Sequence, residues 1–136
     1  MALVNIVNKD VKLDLPSIIK FQLINHCFIH GIILSELDLD CLTTLAILGE
    51  TELTEFCSTM AERRLTEKLK TWEQEPTTRR PEASPQTIRN VLIKVEKENL
   101  LMKTGKSRKK ISLNPDLKIQ AGGNILLNFK VYCLES

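Results

Sequence analysis

His26 and His30 stand four residues apart with Cys27 between them, a spacing that puts two imidazoles on one side of a helix and can begin a metal site. No carboxylate between residues 21 and 34 completes it, so packing or surface histidines are expected and no metal. Asp38, Asp40, Glu50, Glu52 and Glu55 invite an acid/base reading. They fall at predicted helix starts, where the macrodipole favours negative charge, and read better as caps and solubilising groups. The Ser and Thr hydroxyls have no His partner in a recognisable motif, and Gly122-Gly123 lacks the Lys-Ser/Thr that follows in a phosphate loop. Cys27, Cys41, Cys57 and Cys133 lie 14, 16 and 76 residues apart, which fits neither zinc-ligand pairs nor a redox dithiol. Three of them fall on apolar helical faces and read as reduced core thiols. A protein that is not an enzyme and holds no cofactor is expected.

The constellation that exceeds what solubility needs is cationic. Lys103, Lys106, Arg108, Lys109 and Lys110 place five positive charges in eight residues. Upstream, Ile88, Val91, Leu92 and Val95 recur at helical spacing, which leaves Gln86, Thr87, Arg89, Asn90, Lys94 and Lys97 to meet a partner. Asn and Gln match adenine, Arg matches guanine, and Thr87 with the free N–H groups of a helix start after Ser84 suits phosphate. The five cations suit backbone phosphates or, at a hairpin tip, the minor groove. The bland alternative is a solvated amphipathic helix followed by a charged hairpin. Trp72, beside Lys70 and near Arg79-Arg80, has the chemistry to stack on a base, although a buried anchor at a helix end is the better expectation.

These residues need elements to position them. Asp14 and Pro16 open a first helix whose Ile18, Ile19, Leu23, Ile24, Cys27 and Phe28 form an apolar stripe up to Gly31. Ser35 and Asp38 start a second, carrying Leu39, Leu42, Leu45, Ala46 and Leu48 to a stop at Gly49, and its apolar side is expected to be buried. Thr51 is the expected cap of a third, with Leu53, Phe56, Cys57 and Met60 in register, running on through Leu65 and Leu69 to Trp72. Residues 73–83, with Pro76 and Pro81, have no apolar period and are expected to be a flexible loop. Ser84 and Pro85 are strong start signals, and Asn99 suits the left-handed end of that helix. Thr104-Gly105-Lys106-Ser107 then reads as the turn of a hairpin that returns through Arg108 to Leu113 and closes at Asn114-Pro115. Terminal strands are expected at Leu3 to Leu13 and Asn124 to Leu134.

The 136 residues suit one domain, in which we distinguish an N-terminal element (1–34), core and scaffold helices (35–72), the loop (73–83), a helix and hairpin (84–113) and a C-terminal strand (114–136). At 43% hydrophobic and 26% charged, wholesale disorder and a disulfide-dense miniprotein are disfavoured. The net charge of +2 hides an asymmetry. Residues 1–60 hold three Lys and eight acids, a net −5, and residues 61–136 hold 16 Lys plus Arg and nine acids, a net +7. The second half is where a polyanion is expected to bind. The stretch 21–34 is too short and polar to span a bilayer, and Lys9, Asp10, Lys12 and Asp14 interrupt any signal segment, so a cytoplasmic location away from membranes is expected.

The sequence Ser84-Pro85-Gln86-Thr87-Ile88-Arg89-Asn90-Val91-Leu92, followed by Asn99-Leu100-Leu101, resembles the recognition helix of winged helix-turn-helix regulators such as the MarR family. The resemblance extends to the Leu39 to Leu48 stretch and to Thr51-Glu52-Leu53-Thr54-Glu55-Phe56, which look like the helices preceding recognition in that family. It covers roughly residues 35–113, and residues 84–113 are its specific part. Here about two dozen residues separate Met60 from Ser84, where the family usually places only a few. The Asn114-Pro115 ending is also similar to RepL-type replication initiators of plasmids and phages. The resemblance implies a mainly α fold with a small β wing, double-stranded DNA as partner and transcription regulation as the function. Replication initiation and a protein-interaction or assembly role are the alternatives. A homodimer is expected, since the first helix is too apolar to stay on a surface and the terminal segments lie outside the minimal DNA-binding unit.

Overall fold

The computed structural model describes residues 13–75 and 79–122. The expected strands at Leu3 to Leu13 and Asn124 to Leu134, and Cys133, lie outside or at the edge of these. Four helices form, α1 (Leu15–His30), α2 (Glu36–Leu48), α3 (Leu53–Gln74) and α4 (Pro85–Lys97), with three short strands, β1 (Thr51–Glu52), β2 (Leu101–Thr104) and β3 (Lys110–Leu113). The architecture is mainly helical with a small antiparallel sheet of order β1-β3-β2.

The helix ends follow from local chemistry. Asp14 accepts from the Ser17 N–H at 2.9 Å to start α1, with Pro16 in its first turn, and Gly31 ends it in the left-handed region at φ 69°. Ser35 and Asp38 form a reciprocal capping box on α2. Ser84 caps α4 ahead of Pro85, and Asn99 follows it at φ 60°. One cap differs from expectation. Thr51 is taken into the sheet opposite Ile111, and Glu52, whose carboxylate accepts from the N–H groups of Thr54 and Glu55, caps α3 instead. A carboxylate spanning two orphan donors does the capping that a hydroxyl held in a strand does not.

The helices and sheet share one core. Ile19, Leu23 and Cys27 from α1 meet Cys41, Leu42 and Leu45 from α2, Phe56, Cys57 and Met60 from α3, and Ile88, Leu92 and Val95 from α4, with Leu100, Leu101 and Ile111 closing the sheet side. The expected stripe of α1 is corrected at two positions: Ile24 and Phe28 are 53% and 85% exposed. Apolar residues surround this helix, and only the line Ile19, Leu23, Cys27 finds the core. On α2 the burial runs from Cys41 to Leu45, and Leu48, expected inside, is exposed as the helix end leaves the core.

The stretch between Met60 and Ser84 is largely helix. α3 runs unbroken for 22 residues, yet none of its residues beyond Ala61 is buried. α3 packs on α4, its first turns fill the core and its second half projects, with Lys68 Nζ donating to the Glu82 carbonyl at 3.2 Å as the chain returns. The extra length is a helical extension, and the buried residues of α3, Phe56, Cys57, Met60 and Ala61, all precede it.

Candidate nucleic-acid interface

Three features position the expected contact residues: the outward face of α4, its N-terminus, and the turn between β2 and β3. The inward face of α4 is fixed by Ile88, Val91, Leu92 and Val95, all buried, as their spacing predicts. Gln86, Thr87, Asn90, Lys94 and Lys97 are consequently exposed, along with Ser84 at the cap. Gln86 Nε2 donates to Asn90 Oδ1 at 3.0 Å, so the two amides one turn apart form an ordered pair on the surface.

Arg89 departs from the expected exposure. It is half-buried, and its guanidinium donates to Thr54 Oγ1 on α3 at 3.3 Å. Position 89 lies on the flank of the buried stripe, from which its side chain reaches α3. Lys94 is also engaged. Its ammonium donates to Asp38, whose side chain is 4% exposed while that of Lys94 is 48% exposed. Burial alone pushes the Asp38 carboxyl up, but Lys94 and the donors of Ser35 outweigh it and hold the group below the usual aspartate value of 3.8. The same carboxylate that completes the cap of α2 thereby anchors α4. Sequence reasoning assigned Asp38 only to the cap, because nothing local announces a partner 56 residues away.

The hairpin pairs Leu101 with Leu113 and Thr104 with Lys110. At its tip, Gly105 has φ +80°, where an added Cβ would meet Lys110 Cγ at 3.2 Å, and a single 3-10 turn, Lys106–Arg108, follows. Its five cations differ in freedom. Lys103 shares a strand face with the buried Leu101, so its stem is drawn inward and its ammonium meets Glu96 at 3.8 Å. Arg108 reaches the same carboxylate at 3.5 Å, and Lys110 lies 3.5 Å from Glu50. Lys106 and Lys109 are exposed, and no ion pair within 4.0 Å holds either of them among the described residues. Glu96, which the sequence reading passed over, thus ties α4 to the hairpin and masks two of its charges.

Elsewhere the residues with chemical potential serve packing. Cys27, Cys41 and Cys57 are buried free thiols, and burial pushes Cys41 up to about 12, where a thiolate is not formed at neutral pH. The His26 and His30 rings lie 4.3 Å apart between centroids, and burial followed by the charge of His30 lowers His26 below the usual histidine value. Among the described residues no group of three or more His, Cys, Asp or Glu is placed to hold a metal. Trp72 is half-buried on the projecting half of α3, where it lines a surface groove of about 480 Å³ with Glu67, Lys68, Thr71, Glu75 and Pro81. No described helix is long and apolar enough to cross a membrane.

What the arrangement offers is a helix face of amides and lysines beside a turn with exposed cations, which suits a polyanion with readable edges. Set against known proteins, the chain matches no family model, no curated protein and no solved structure.

Proposed function

We propose that this protein is a winged-helix protein that binds double-stranded DNA and regulates transcription, α4 entering the major groove and the β2–β3 turn lying on the backbone. The observation that carries the reading is the outward face of α4: Gln86, Thr87, Asn90 and Lys97 exposed on a helix anchored by the Lys94–Asp38 contact, with Lys106 and Lys109 exposed at the adjoining turn and in no ion pair among the described residues. The sequence of elements supports it, since α4 runs directly into the hairpin and β1, contributed between α2 and α3, makes the third strand. Lys97, Lys106 and Lys109 supply phosphate contacts, Lys110, in an exposed ion pair that costs little to exchange, adds to them, and Arg108 is held back by Glu96. Arg89 and Lys103 position α4 and the hairpin and are not base readers here. Replication initiation uses the same contacts and differs in where the DNA site lies.

Two copies acting together fit this reading, because one helix in a groove reads only a short half-site. The face that suits a second copy is the outer side of α1 with the segment that follows it, where Ile24, Phe28 and Ile29 of the helix and Ile33 beyond it are 53%, 85%, 72% and 85% exposed with no charged residue from 21 to 34. A second copy offers the same uncharged face, as a two-fold contact requires. Sedimentation at micromolar concentration should give a dimer that Phe28→Glu dissociates, and a strictly monomeric wild type overturns this part.

The DNA reading is tested by fluorescence anisotropy on labelled duplexes across a salt series. Binding should weaken linearly in log–log form, and replacing Lys106 and Lys109 together by Ala should reduce the slope by about two, roughly one per lost phosphate contact. Absence of salt-dependent duplex binding overturns the proposal and leaves a protein-interaction module. Preference for a promoter fragment over an origin fragment separates regulation from initiation.

A further inference from the structure

We infer that the outer stripe of α4 reads adenine next to thymine, Asn90 taking the adenine and Ile93 the methyl group of the neighbouring thymine. This rests on the DNA-binding reading and adds the base identity. Three observations carry it.

The first is the amide pair. By accepting from Gln86 at 3.0 Å, Asn90 Oδ1 uses one lone pair and keeps the other, and its NH₂ remains available. One acceptor and one donor in a plane are what adenine N6–H and N7 require in the major groove. The Gln86 contact holds that amide in place before DNA arrives, which lowers the entropy lost on binding.

The second is Ile93. Every other Ile, Leu or Val of α4 is buried, yet Ile93 is 46% exposed and sits in the middle of the polar stripe, one turn beyond Asn90. With Asn90, Lys94, Lys97 and Glu98 it lines a shallow depression of about 330 Å³. An apolar side chain there adds nothing to the core. The apolar group that the major groove presents is the C5-methyl of thymine, and three residues along a helix advance about 4.5 Å, between one and two base-pair steps of about 3.4 Å.

The third concerns G·C pairs. Guanine is read by arginine or lysine, and within one turn of Asn90 on either side the cations are Arg89, withdrawn to Thr54, and Lys94, held by Asp38. Cytosine offers an N4–H₂ donor that a carboxylate accepts, and residues 86–94 hold no carboxylate. Lys97 and Glu98 lie farther along, at the C-terminal end of the helix. Around Asn90 the face is equipped for A and T.

The test selects duplexes from a randomised pool with the full chain and then replaces the selected thymine by uracil, which removes only the methyl. Selected sites should carry adenine beside thymine. Uracil should weaken wild-type binding about four-fold, the worth of one buried methyl, and should make no difference to Ile93→Ala. Asn90→Ala should lose the adenine preference by roughly 5- to 150-fold. Selected G·C sites, or salt-dependent binding with no base preference, overturn the inference and leave the DNA reading standing. Binding to no duplex at all removes both. The uracil comparison needs no variant, so it is decided on native protein.

Discussion

Helices α1 and α4 each turn one side to the core and one to solvent, and the solvent sides could hardly differ more. Outward on α1 stand Ile24, Phe28 and Ile29, whereas outward on α4 stand Gln86, Asn90 and Lys97. A helix with one apolar stripe has one way to pack, and a helix apolar on most sides has several. The orientation of α4 is therefore local information, and that of α1 is decided by the partners available. The same difference separates the two surfaces by use: one is spare apolar area, the other an ordered set of donors and acceptors.

The largest expected effect breaks the comparison at its inner side. Leu92, 1% exposed, fills the core from α4, and Leu92→Ala should cost about 2–5 kcal/mol in denaturant unfolding. Phe28→Ala, at 85% exposure, should change the stability of the single chain by less than about 0.5 kcal/mol. Equal costs would show that the outer side of α1 is packed as tightly as the inner side of α4. A Phe28→Ala cost that grows with protein concentration would sharpen the distinction, since it marks association through α1.

This contrast also explains how much was legible beforehand. The buried residues of α4, the Ser84 cap, the Gly31 and Gly49 stops and the capping box of α2 are local signals, and each stands where its spacing placed it. The exposure of Ile24 and Phe28, the strand at Thr51–Glu52 and the withdrawal of Arg89 depend on residues far along the chain. Of the candidate site, the exposed amides followed from periodicity, but the freedom of each cation did not. Whether Lys94 or Lys103 is spent on an acid is settled by the packing that brings Asp38 and Glu96 to them.

The Asp38–Lys94 contact is where the two helix types are tied together, through α2. Asp38→Asn keeps a side chain able to cap but removes the charge, and should cost about 1–3 kcal/mol. The sign with pH follows from the lowered carboxyl. Its contribution is fully present above the unfolded value near 3.8 and is lost as pH falls through the lower folded value, because the unfolded chain takes up the proton first. Thermal melts from pH 6 down to pH 2 should show wild type losing stability relative to Asp38→Asn only below about pH 4. A constant difference across that range would remove the charge from the contact.

A smaller effect is expected at the turn that presents the exposed cations. Gly105→Ala places a Cβ at φ +80° and 3.2 Å from Lys110 Cγ, near the root of that side chain, so the start of the lysine must shift to admit it. The backbone term should dominate, at about 1 kcal/mol or more, because φ +80° with ψ −177° is a conformation essentially restricted to glycine, and the hairpin rather than the helices should lose hydrogen-exchange protection. Uniform loss of protection would mean that the hairpin and the helical core open as one unit.

The smallest stability effect, and the one with the most informative sign, belongs to Glu96. Its carboxylate lies 3.8 Å from Lys103 and 3.5 Å from Arg108, and the Arg108 side chain is 70% exposed. Exposed pairs of this kind contribute about 0–1 kcal/mol, so Glu96→Gln should leave the melting curve nearly unchanged. DNA affinity should move the other way from every other change at this surface. Removing the negative charge releases Arg108 toward a phosphate and lessens repulsion of the backbone, so binding should tighten and the salt slope steepen by about one. Arg108→Ala in the Glu96→Gln background should return the slope to the wild-type value. If Glu96→Gln instead weakens binding, the carboxylate is holding the hairpin in its binding position, and the cations at the tip matter less than the angle at which the hairpin leaves α4.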